Sequence, residues 1–263
     1  MPELPEVQTV VDGLQKSIKD KQIEKIVQHR ENTVEEKIKC QNYGKVKAVQ
    51  RRGKFIIIEA RVYIIIHLRM TGKLKLVNKN TKPGKYTRAE ILFKDDTKLL
   101  FDDVRTFGTI AIVQSLENYD SLRNMSGVEP LTDAFDDKYL GKVLKNRKAP
   151  IKNLLLNQKI IAGLGNIYAC EILYRAKVDP STSAKKLSLK QIDRIIRQTK
   201  IVLKEAIEQK GTTVSDFRGI SGKTGQFQKS LQVYKQEHCN CGKEIKKIKQ
   251  AGRSTYYCPK CQK

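Results

Sequence analysis

The hydrophobic pattern of this 263-residue chain changes its period once, near Pro130, and this change most constrains the fold. From Ile23 to Val113 the apolar residues form short, β-branched runs, such as 55–58 and 63–66, which Gly, Pro and Asp turns separate. After Pro130 the apolar spacing becomes helical. The pattern predicts an α+β, multidomain chain in which a β sandwich or barrel-like domain precedes a helical one.

An amphipathic helix is predicted ahead of the β domain, from Leu4 to Ile18, because apolar residues recur there at helical spacing. This helix would hold the terminal residues Met1, Pro2 and Glu3 in place. Removal of Met1, which is usual before a small residue, would leave Pro2 with a secondary amine able to form an iminium, beside a carboxyl acid or base. Taken alone, the same residues are also ordinary helix-entry chemistry.

The charge of the chain favours a polyanionic partner. Fifty-two Lys and Arg residues against 28 Asp and Glu give a net charge of +24, and nucleic acid is the usual partner of such an excess. A solvated, lysine-rich surface is the alternative. The chain shows no membrane-length apolar stretch and no signal peptide, so we expect a soluble, cytoplasmic protein without a membrane partner.

The C-terminal cysteines predict one structural zinc ion. Four of the six cysteines lie within the last 25 residues, and they are Cys239, Cys241, Cys258 and Cys261. The second pair has the C-x2-C spacing of a zinc ribbon, whereas the first pair has only one intervening residue. His238 paired with Cys241 restores the usual gap, so the spacing slightly favours a site of three cysteines and one histidine over a site of four cysteines. Either way the metal would stabilise a hairpin, whose turn presents Arg253 to a phosphate.

Two other turns have the composition of phosphate sites. Gly163 and Gly165 connect two predicted helices, so backbone amides could cradle a phosphate, with Asn166 as the helix cap and Lys152 adding charge. The run Arg51-Arg52-Gly53-Lys54 places a basic cluster before a strand. Glycine-rich helix connections are often only tight packing, and the basic run, taken alone, is equally well explained as a surface patch.

Two predicted turns carry an apolar side chain next to arginine. Met70 follows Arg69, and Phe107 lies two residues after Arg105. Such side chains can enter a base stack and fill the gap left by an extruded base. Each, taken singly, is more often a packed hydrophobic residue.

Together these segments resemble the bacterial formamidopyrimidine-DNA glycosylases, base-excision enzymes that remove oxidised purines such as 8-oxoguanine. In chain order the resemblance rests on MPELPEV, RRGK, HLRMTGK, RTFG, GLGNIYA, GKTGQFQ and GRSTYYCPKCQK. It implies an N-terminal helix with a β sandwich at 1–125, a helix–two-turn–helix domain at 126–215, a lesion-recognition loop at 216–230 and a zinc finger at 231–263. It also implies a monomer, associated with the bacterial nucleoid, that binds double-stranded DNA containing oxidised bases or abasic sites.

The resemblance also implies residue roles. Pro2 attacks the sugar C1′ of an extruded nucleotide to form a Schiff base, Glu3 donates or relays a proton, and Glu6 supports the site. Lys54 assists β-elimination, and Arg253 assists δ-elimination and grips phosphate. The residues that contact DNA are His67, Met70, Arg88, Arg105, Phe107, Lys152 and Asn166. The residues that contact the damaged base are Lys223, Thr224 and Gly225.

The sequence departs from the family pattern in three places. Val104 stands where a proline is usual, Tyr86-Thr-Arg88 replaces a histidine-rich turn, and Cys170 replaces an acidic or small residue. Arg88 can still reach a phosphate.

Two alternative functions share part of this pattern. An endonuclease VIII-like glycosylase for oxidised pyrimidines would have the same fold, but Leu4 and the GKTGQFQ segment resemble the purine enzymes. A non-enzymatic zinc-ribbon DNA-binding protein would explain the charge and the cysteines but would leave the terminal Pro-Glu pair without a role.

Overall fold

Contacts between residues divide the computed structural model, which describes residues 1–38, 42–212 and 225–263, into two units. The first unit contains Met1–Asn124 and Gln209–Gln228, and the second contains Met125–Glu208 and Lys229–Lys263. Cys40 and most of the predicted lesion-recognition loop, including Lys223 and Thr224, lie outside the described residues.

The first unit is a helix with two sheets. Its elements are α1 (Leu4–Ile18), β1 (Ile23–Gln28), β2 (Val34–Glu36), β3 (Ala48–Arg52), β4 (Phe55–Glu59), β5 (Tyr63–His67), β6 (Lys73–Asn78), β7 (Thr87–Phe93), β8 (Thr97–Asp102), β9 (Thr109–Val113) and the short α2 (Asp120–Arg123). One sheet has the order β2-β9-β5-β4-β3, and the other has the order β1-β7-β8-β6. A continuous core joins the apolar face of α1 to residues of both sheets, which confirms the predicted sandwich with its N-terminal helix.

Two chain crossings between the sheets position the apolar turns predicted above. The chain passes from β5 to β6 and again from β8 to β9, and each passage changes sheet. The register pairs His67 with Thr109 in one sheet and Lys73 with Asp102 in the other. Both crossings therefore leave the sheets at the same end, and the turns that carry Met70 and Phe107 become neighbours.

The second unit is helical and ends in a β hairpin. Its elements are α3 (Asp137–Leu144), α4 (Ile151–Leu155), α5 (Asn166–Arg175), α6 (Leu189–Glu208), β10 (Lys246–Gln250) and β11 (Arg253–Tyr257). These helices confirm the helical spacing after Pro130. On α6 the side chains of Ile192, Ile195, Ile196 and Leu203 are buried on one face, whereas Leu189, at the start of the helix, is exposed. None of the described helices is long and apolar enough to cross a membrane.

Candidate active site

The entry into α1 buries two carboxylates beside the chain terminus. Glu3 is the N-cap residue and Glu6 lies in the first turn, and their exposed fractions are 4% and 2%. The backbone N–H of Glu3 donates to Glu6 Oε2 at 2.9 Å, which satisfies one of the amides left open at a helix start. The helix-entry interpretation is therefore correct locally, and it places both acids at the terminus.

Glu6 also attaches α1 to the segment that follows α6. Its second oxygen, Oε1, accepts from the backbone N–H of Thr212 at 2.7 Å and from the Thr212 hydroxyl at 3.0 Å. Gly211 has φ +77°, and a Cβ at that position would lie 2.6 Å from Glu6 Oε1. The contact therefore requires glycine at position 211.

The residues on either side of 213–224 are bonded to each other. The N–H of Gln226 donates to the Gln209 carbonyl at 2.9 Å, and the N–H of Phe227 donates to the Gly211 carbonyl at 3.1 Å. The sequence analysis assigned Gly225 to base recognition. In the structure Gly225 packs so closely against Gly211 that a Cβ at position 225 would lie 2.1 Å from the Gly211 oxygen. Gly225 therefore allows close packing between residues 209–212 and residues 225–228. We call these two paired stretches the neck.

Burial of the chain terminus favours a neutral amine. Burial lowers the pKa of the Met1 amine, and Lys54 and Arg105 lower it further, whereas Glu3 and Glu6 raise it. The two acids and two cations that the sequence assigned to catalysis and to DNA thus act on one amine. An amine is a nucleophile only when it is unprotonated, so this environment suits the proposed chemistry.

Lys54 lies in the tight turn between β3 and β4, and only 6% of it is exposed. Gly53 has φ +56°, and Arg51 bonds the Gly53 carbonyl at 3.0 Å and Gln8 of α1 at 2.8 Å. Arg51 therefore fastens this turn to the helix that carries the terminus. Within the basic run, one arginine has a structural role and the lysine approaches the site.

His67, at the end of β5, is held as a neutral imidazole. Burial first, then Arg69 and Lys54, lower the pKa of His67 to about 3. Its Nδ1 accepts from the backbone N–H of Arg69 at 3.0 Å, which assigns the proton to Nε2. The ring is thus a hydrogen-bond donor through Nε2, the property that a phosphate contact requires.

The predicted wedge residues are exposed, in contrast to the core side chains around them. Met70 is 41% exposed and Phe107 is 54% exposed, and the Arg105 guanidinium lies 5.0 Å from the centre of the Phe107 ring. Val104 and Tyr86, which the sequence analysis named only as departures from the family pattern, are exposed as well. Apolar surface flanked by cations is what insertion into a base stack requires.

Arg88 is oriented by its own turn. Its Nε donates to the Asp103 carbonyl at 2.7 Å, and its guanidinium lies 5.9 Å from the centre of the Tyr86 ring. The substituted turn thus keeps a cation beside the wedge residues.

In the second unit, Lys152 differs from its sequence-based assignment. The side chain has no exposed surface, and its ammonium donates to Asn166 Oδ1 at 2.6 Å and to Thr255 Oγ1 at 2.7 Å. A wholly buried ammonium cannot itself touch a phosphate, so the direct contact assigned to Lys152 is not what the structure shows. Lys152 instead braces α4 against α5 and β11.

Asn166 belongs to the same network. It is the first residue of α5, and Gly165, not Asn166, is the N-cap, which corrects the predicted cap. The Asn166 amide also donates from Nδ2 to the Ser254 carbonyl at 2.8 Å. Lys152 and Asn166 thus hold the residues that directly follow Arg253, which is exposed at the start of β11.

The turn before Arg253 is a two-residue hairpin connection. Ala251 has φ +45° and Gly252 has φ +76°, the two positive values of a type I′ turn. The hairpin register pairs Arg253 with Gln250, so the arginine stands at the tip of the hairpin, as the sequence predicted.

The four C-terminal cysteines form a group that fits a zinc ion. Their sulfur atoms all lie within 4.8 Å of one another, and the pairs Cys239–Cys261 and Cys241–Cys258 are each 3.7 Å apart. Four sulfurs at a Zn–S distance of about 2.3 Å in a tetrahedron are separated by about 3.8 Å, so the geometry matches.

The preference for His238 as a ligand is wrong in this structure. Its side chain is exposed and lies outside the group of candidate ligands, whereas Cys239 is 4% exposed within it. The hydroxyl of Tyr174 lies 3.1 Å from Cys239 Sγ and can support that ligand.

Two residues at the site, Thr212 and Asp103, were given no role in the sequence analysis. Thr212 lies in a stretch that reads as a loop, and only its contact with Glu6 shows its role. Asp103 is 1% exposed between the wedge turns, and its one sequence signal is an acidic residue directly after a strand, next to the wedge motif.

Comparison with known proteins agrees with this geometry. Three family models match: the formamidopyrimidine-DNA glycosylase N-terminal domain at residues 1–110, the formamidopyrimidine-DNA glycosylase H2TH domain at 126–218, and the zinc finger found in FPG and IleRS at 240–263. The formamidopyrimidine-DNA glycosylase of Wolbachia pipientis subsp. Culex pipiens is 41% identical over 271 residues, which covers 100% of both chains.

Solved structures give the same result. A complex of a Lactococcus lactis FPG mutant with Fapy-dG-containing DNA is similar at a TM-score of 0.90 and 34% identity, with 100% of both chains covered. A complex of the Lactococcus lactis Fpg with abasic-site DNA is similar at a TM-score of 0.88 and 34% identity, with 99% of both chains covered. The chain therefore belongs to the formamidopyrimidine-DNA glycosylase family and is a DNA glycosylase with one structural zinc ion in its C-terminal finger.

Proposed function

We propose that this enzyme is a bifunctional glycosylase and abasic-site lyase of base excision repair that removes 8-oxoguanine and formamidopyrimidines from duplex DNA. The observation that supports it best is the surroundings of the chain terminus, where two buried acids and two cations lie around the Met1 amine, next to Pro2, and burial lowers the pKa of that amine. The relatives named for formamidopyrimidine lesions and the complex with Fapy-dG-containing DNA support the substrate class.

The reaction begins once Met1 has been removed. The neutral Pro2 nitrogen attacks C1′ of the extruded nucleotide, the bond from C1′ to the base nitrogen breaks, and the base leaves with a proton that Glu3 supplies or relays. The Pro2 nitrogen then loses its proton, the C1′–O4′ bond breaks and O4′ takes up a proton, which opens the sugar ring and gives an iminium between Pro2 and C1′. Glu6 holds the entry of α1, and therefore the nucleophile, in position.

Strand cleavage follows from the iminium. The positive nitrogen acidifies the C2′ proton, so loss of that proton breaks the C3′–O bond in the β-elimination, with Lys54 contacting the phosphate that leaves. A second proton loss breaks the C5′–O bond in the δ-elimination, which we assign to Arg253. Water then hydrolyses the remaining Schiff base and restores the amine.

The DNA contacts divide by chemistry. Met70, Arg105 and Phe107 fill the gap left by the extruded nucleotide, while His67 and Arg88 donate to phosphates. Asn166 adds a phosphate contact beside Arg253, and Lys223 and Thr224 close over the damaged base. Cys239, Cys241, Cys258 and Cys261 would hold the zinc ion with no position left for substrate, so the ion would stabilise the hairpin that carries Arg253. We infer that the enzyme acts as a monomer on nucleoid DNA in the bacterial cytoplasm.

Borohydride trapping tests the nucleophile. Mature enzyme and a matched preparation that retains Met1 are mixed with an 8-oxoguanine duplex and reduced. We expect an adduct whose peptide map places the DNA on Pro2, and none from the Met1-retaining enzyme, since an acylated proline nitrogen is not nucleophilic. An adduct of equal yield from both preparations, or one that maps to a lysine, would refute the proposal. Parallel reactions with oxidised-pyrimidine duplexes test the purine preference.

A further inference from the structure

Asp103 joins the two turns that carry the exposed apolar side chains. It directly follows β8, and one of its carboxylate oxygens, Oδ2, accepts from the backbone N–H of Gly108 at 2.7 Å. The other, Oδ1, accepts from the hydroxyl of Thr71, which belongs to the turn after β5. One buried carboxylate thus bonds both sheet crossings.

The backbone of Asp103 is also bonded, and Thr71 completes the connection. The N–H of Asp103 donates to the Tyr86 carbonyl at 2.9 Å, and its carbonyl accepts from Arg88 Nε at 2.7 Å. Thr71 Oγ1 accepts in turn from the backbone N–H of Arg105 at 3.0 Å. The network, which we call the latch (Asp103 and Thr71), reaches the backbone on both sides of Phe107 at Arg105 and Gly108.

Both turns need such support because their backbones are unfavourable. Arg69, next to Met70, has φ +50°, and Thr106, next to Phe107, has φ +60°. A β-branched residue rarely adopts a left-handed conformation unless its surroundings impose it. Gly108 is packed so closely that a Cβ would lie 2.5 Å from the Phe101 ring, so the second turn cannot relax toward the core.

We propose that Asp103 is a positioning residue for base extrusion, which through Thr71 and Gly108 holds Met70, Arg105 and Phe107 as one rigid wedge. A wedge whose backbone is already fixed loses less conformational entropy when it enters the base stack. The burial of Asp103 and the bonds of its carboxylate to both turns are what this role requires. The inference rests on the proposed function, in which these three residues enter the DNA.

The role predicts a selective defect. A paired 8-oxoguanine must be unstacked before reaction, whereas an abasic site has no base to unstack. For Asp103→Ala, we expect the single-turnover rate on the lesion duplex to fall about tenfold or more, since one factor of ten is about 1.4 kcal/mol of lost positioning. The rate on an abasic-site duplex should remain within about threefold of wild type.

Three further variants make the test specific. Asp103→Asn should restore the rate on the lesion, because its oxygen can accept from Gly108 and its amide can donate to Thr71. Thr71→Val, which keeps the shape of the side chain, should reproduce the selective defect even if Asp103→Ala fails to fold. Asp102→Ala, which loses only bonds to Lys75 and Thr87 at 2.7 Å each, should match wild type.

The outcomes separate the latch from the proposed function. Equal losses on both substrates in Asp103→Ala and Thr71→Val, or no loss on either, would overturn the latch. Phe107→Ala serves as the reference for the wedge itself. If Phe107→Ala shows no selective loss, the assignment of the wedge residues is wrong; if it does and the latch variants behave as wild type, only the role of Asp103 is wrong.

Discussion

The contact between Glu6 and Thr212 allows a quantitative prediction for Glu6→Gln. The carboxylate accepts from Glu3 N–H on Oε2 and from the N–H and hydroxyl of Thr212 on Oε1. A glutamine offers one oxygen and one NH2 group. In either orientation of the amide, its NH2 faces a backbone N–H, so at least one buried donor loses its acceptor.

The cost follows from that loss. An unsatisfied buried donor destabilises a protein by about 1–3 kcal/mol, and about 2 kcal/mol corresponds to about 4–8 °C in Tm for a protein of this size. We therefore expect Glu6→Gln to lower the Tm of the mature enzyme by that amount. Because the same contact holds the neck to α1, the rate on an 8-oxoguanine duplex should also fall.

Glu35→Gln is the matched control for charge. Glu35 is exposed on β2, and its nearest cation, Lys37, is 3.4 Å away at the surface, where such pairs contribute about 0–1 kcal/mol. Calorimetric scans of both variants, with single-turnover rates, complete the assay. A Tm for Glu6→Gln within about 1 °C of Glu35→Gln would refute the view that Glu6 bonds both segments.

Two further predictions concern His67 and the metal. The pKa of His67 is about 3 in the folded protein and 6.5 in the unfolded protein, so the unfolded state binds more protons as the pH falls below 6.5. The free energy of unfolding should therefore fall by about 2 kcal/mol from pH 7 to pH 5. Urea unfolding of His67→Gln should lack this share of the pH dependence, and an unchanged slope would contradict the neutral assignment. Elemental analysis should find one zinc per chain in wild type and in His238→Ala but less in Cys239→Ser, and the reverse pattern would restore the site of three cysteines and His238.

The parts of the fold that the sequence could predict are those in which apolar periodicity determines burial. The β-branched runs of β4 and β5 and the one-sided α6 were predicted because each buries a large share of its own residues. The strands β2 and β3 were not, because β2 has three residues and β3 reads Ala-Val-Gln-Arg-Arg, so pairing with neighbours decides their conformation.

In the candidate site, too, some residues could be recognised from the sequence and others could not. Exposed wedge residues and a terminal amine are recognisable because their residue types are unusual for their places in the chain. Lys152 is different: its burial depends on Asn166, 14 residues away, and on Thr255, 103 residues away, and a lysine without those partners would be an exposed cation. Sequence alone therefore assigned it the commoner role, a contact with phosphate.

The zinc ligands show most clearly how a local rule can mislead. The spacing rule assumes that two ligands come from one turn, and on that assumption the single residue between Cys239 and Cys241 is too short a gap. In the structure both cysteines of this pair belong to the group: all four sulfur atoms lie within 4.8 Å of one another, and Cys239 and Cys241 each lie 3.7 Å from a cysteine of the second pair, Cys261 and Cys258 respectively. The tetrahedron is closed by contacts over 22 and 17 residues, so the one-residue gap is no obstacle, and the exposed His238 is not needed. For a metal site closed by a hairpin, the distance between sulfur atoms across the finger decides the ligand set, and the spacing along the chain does not.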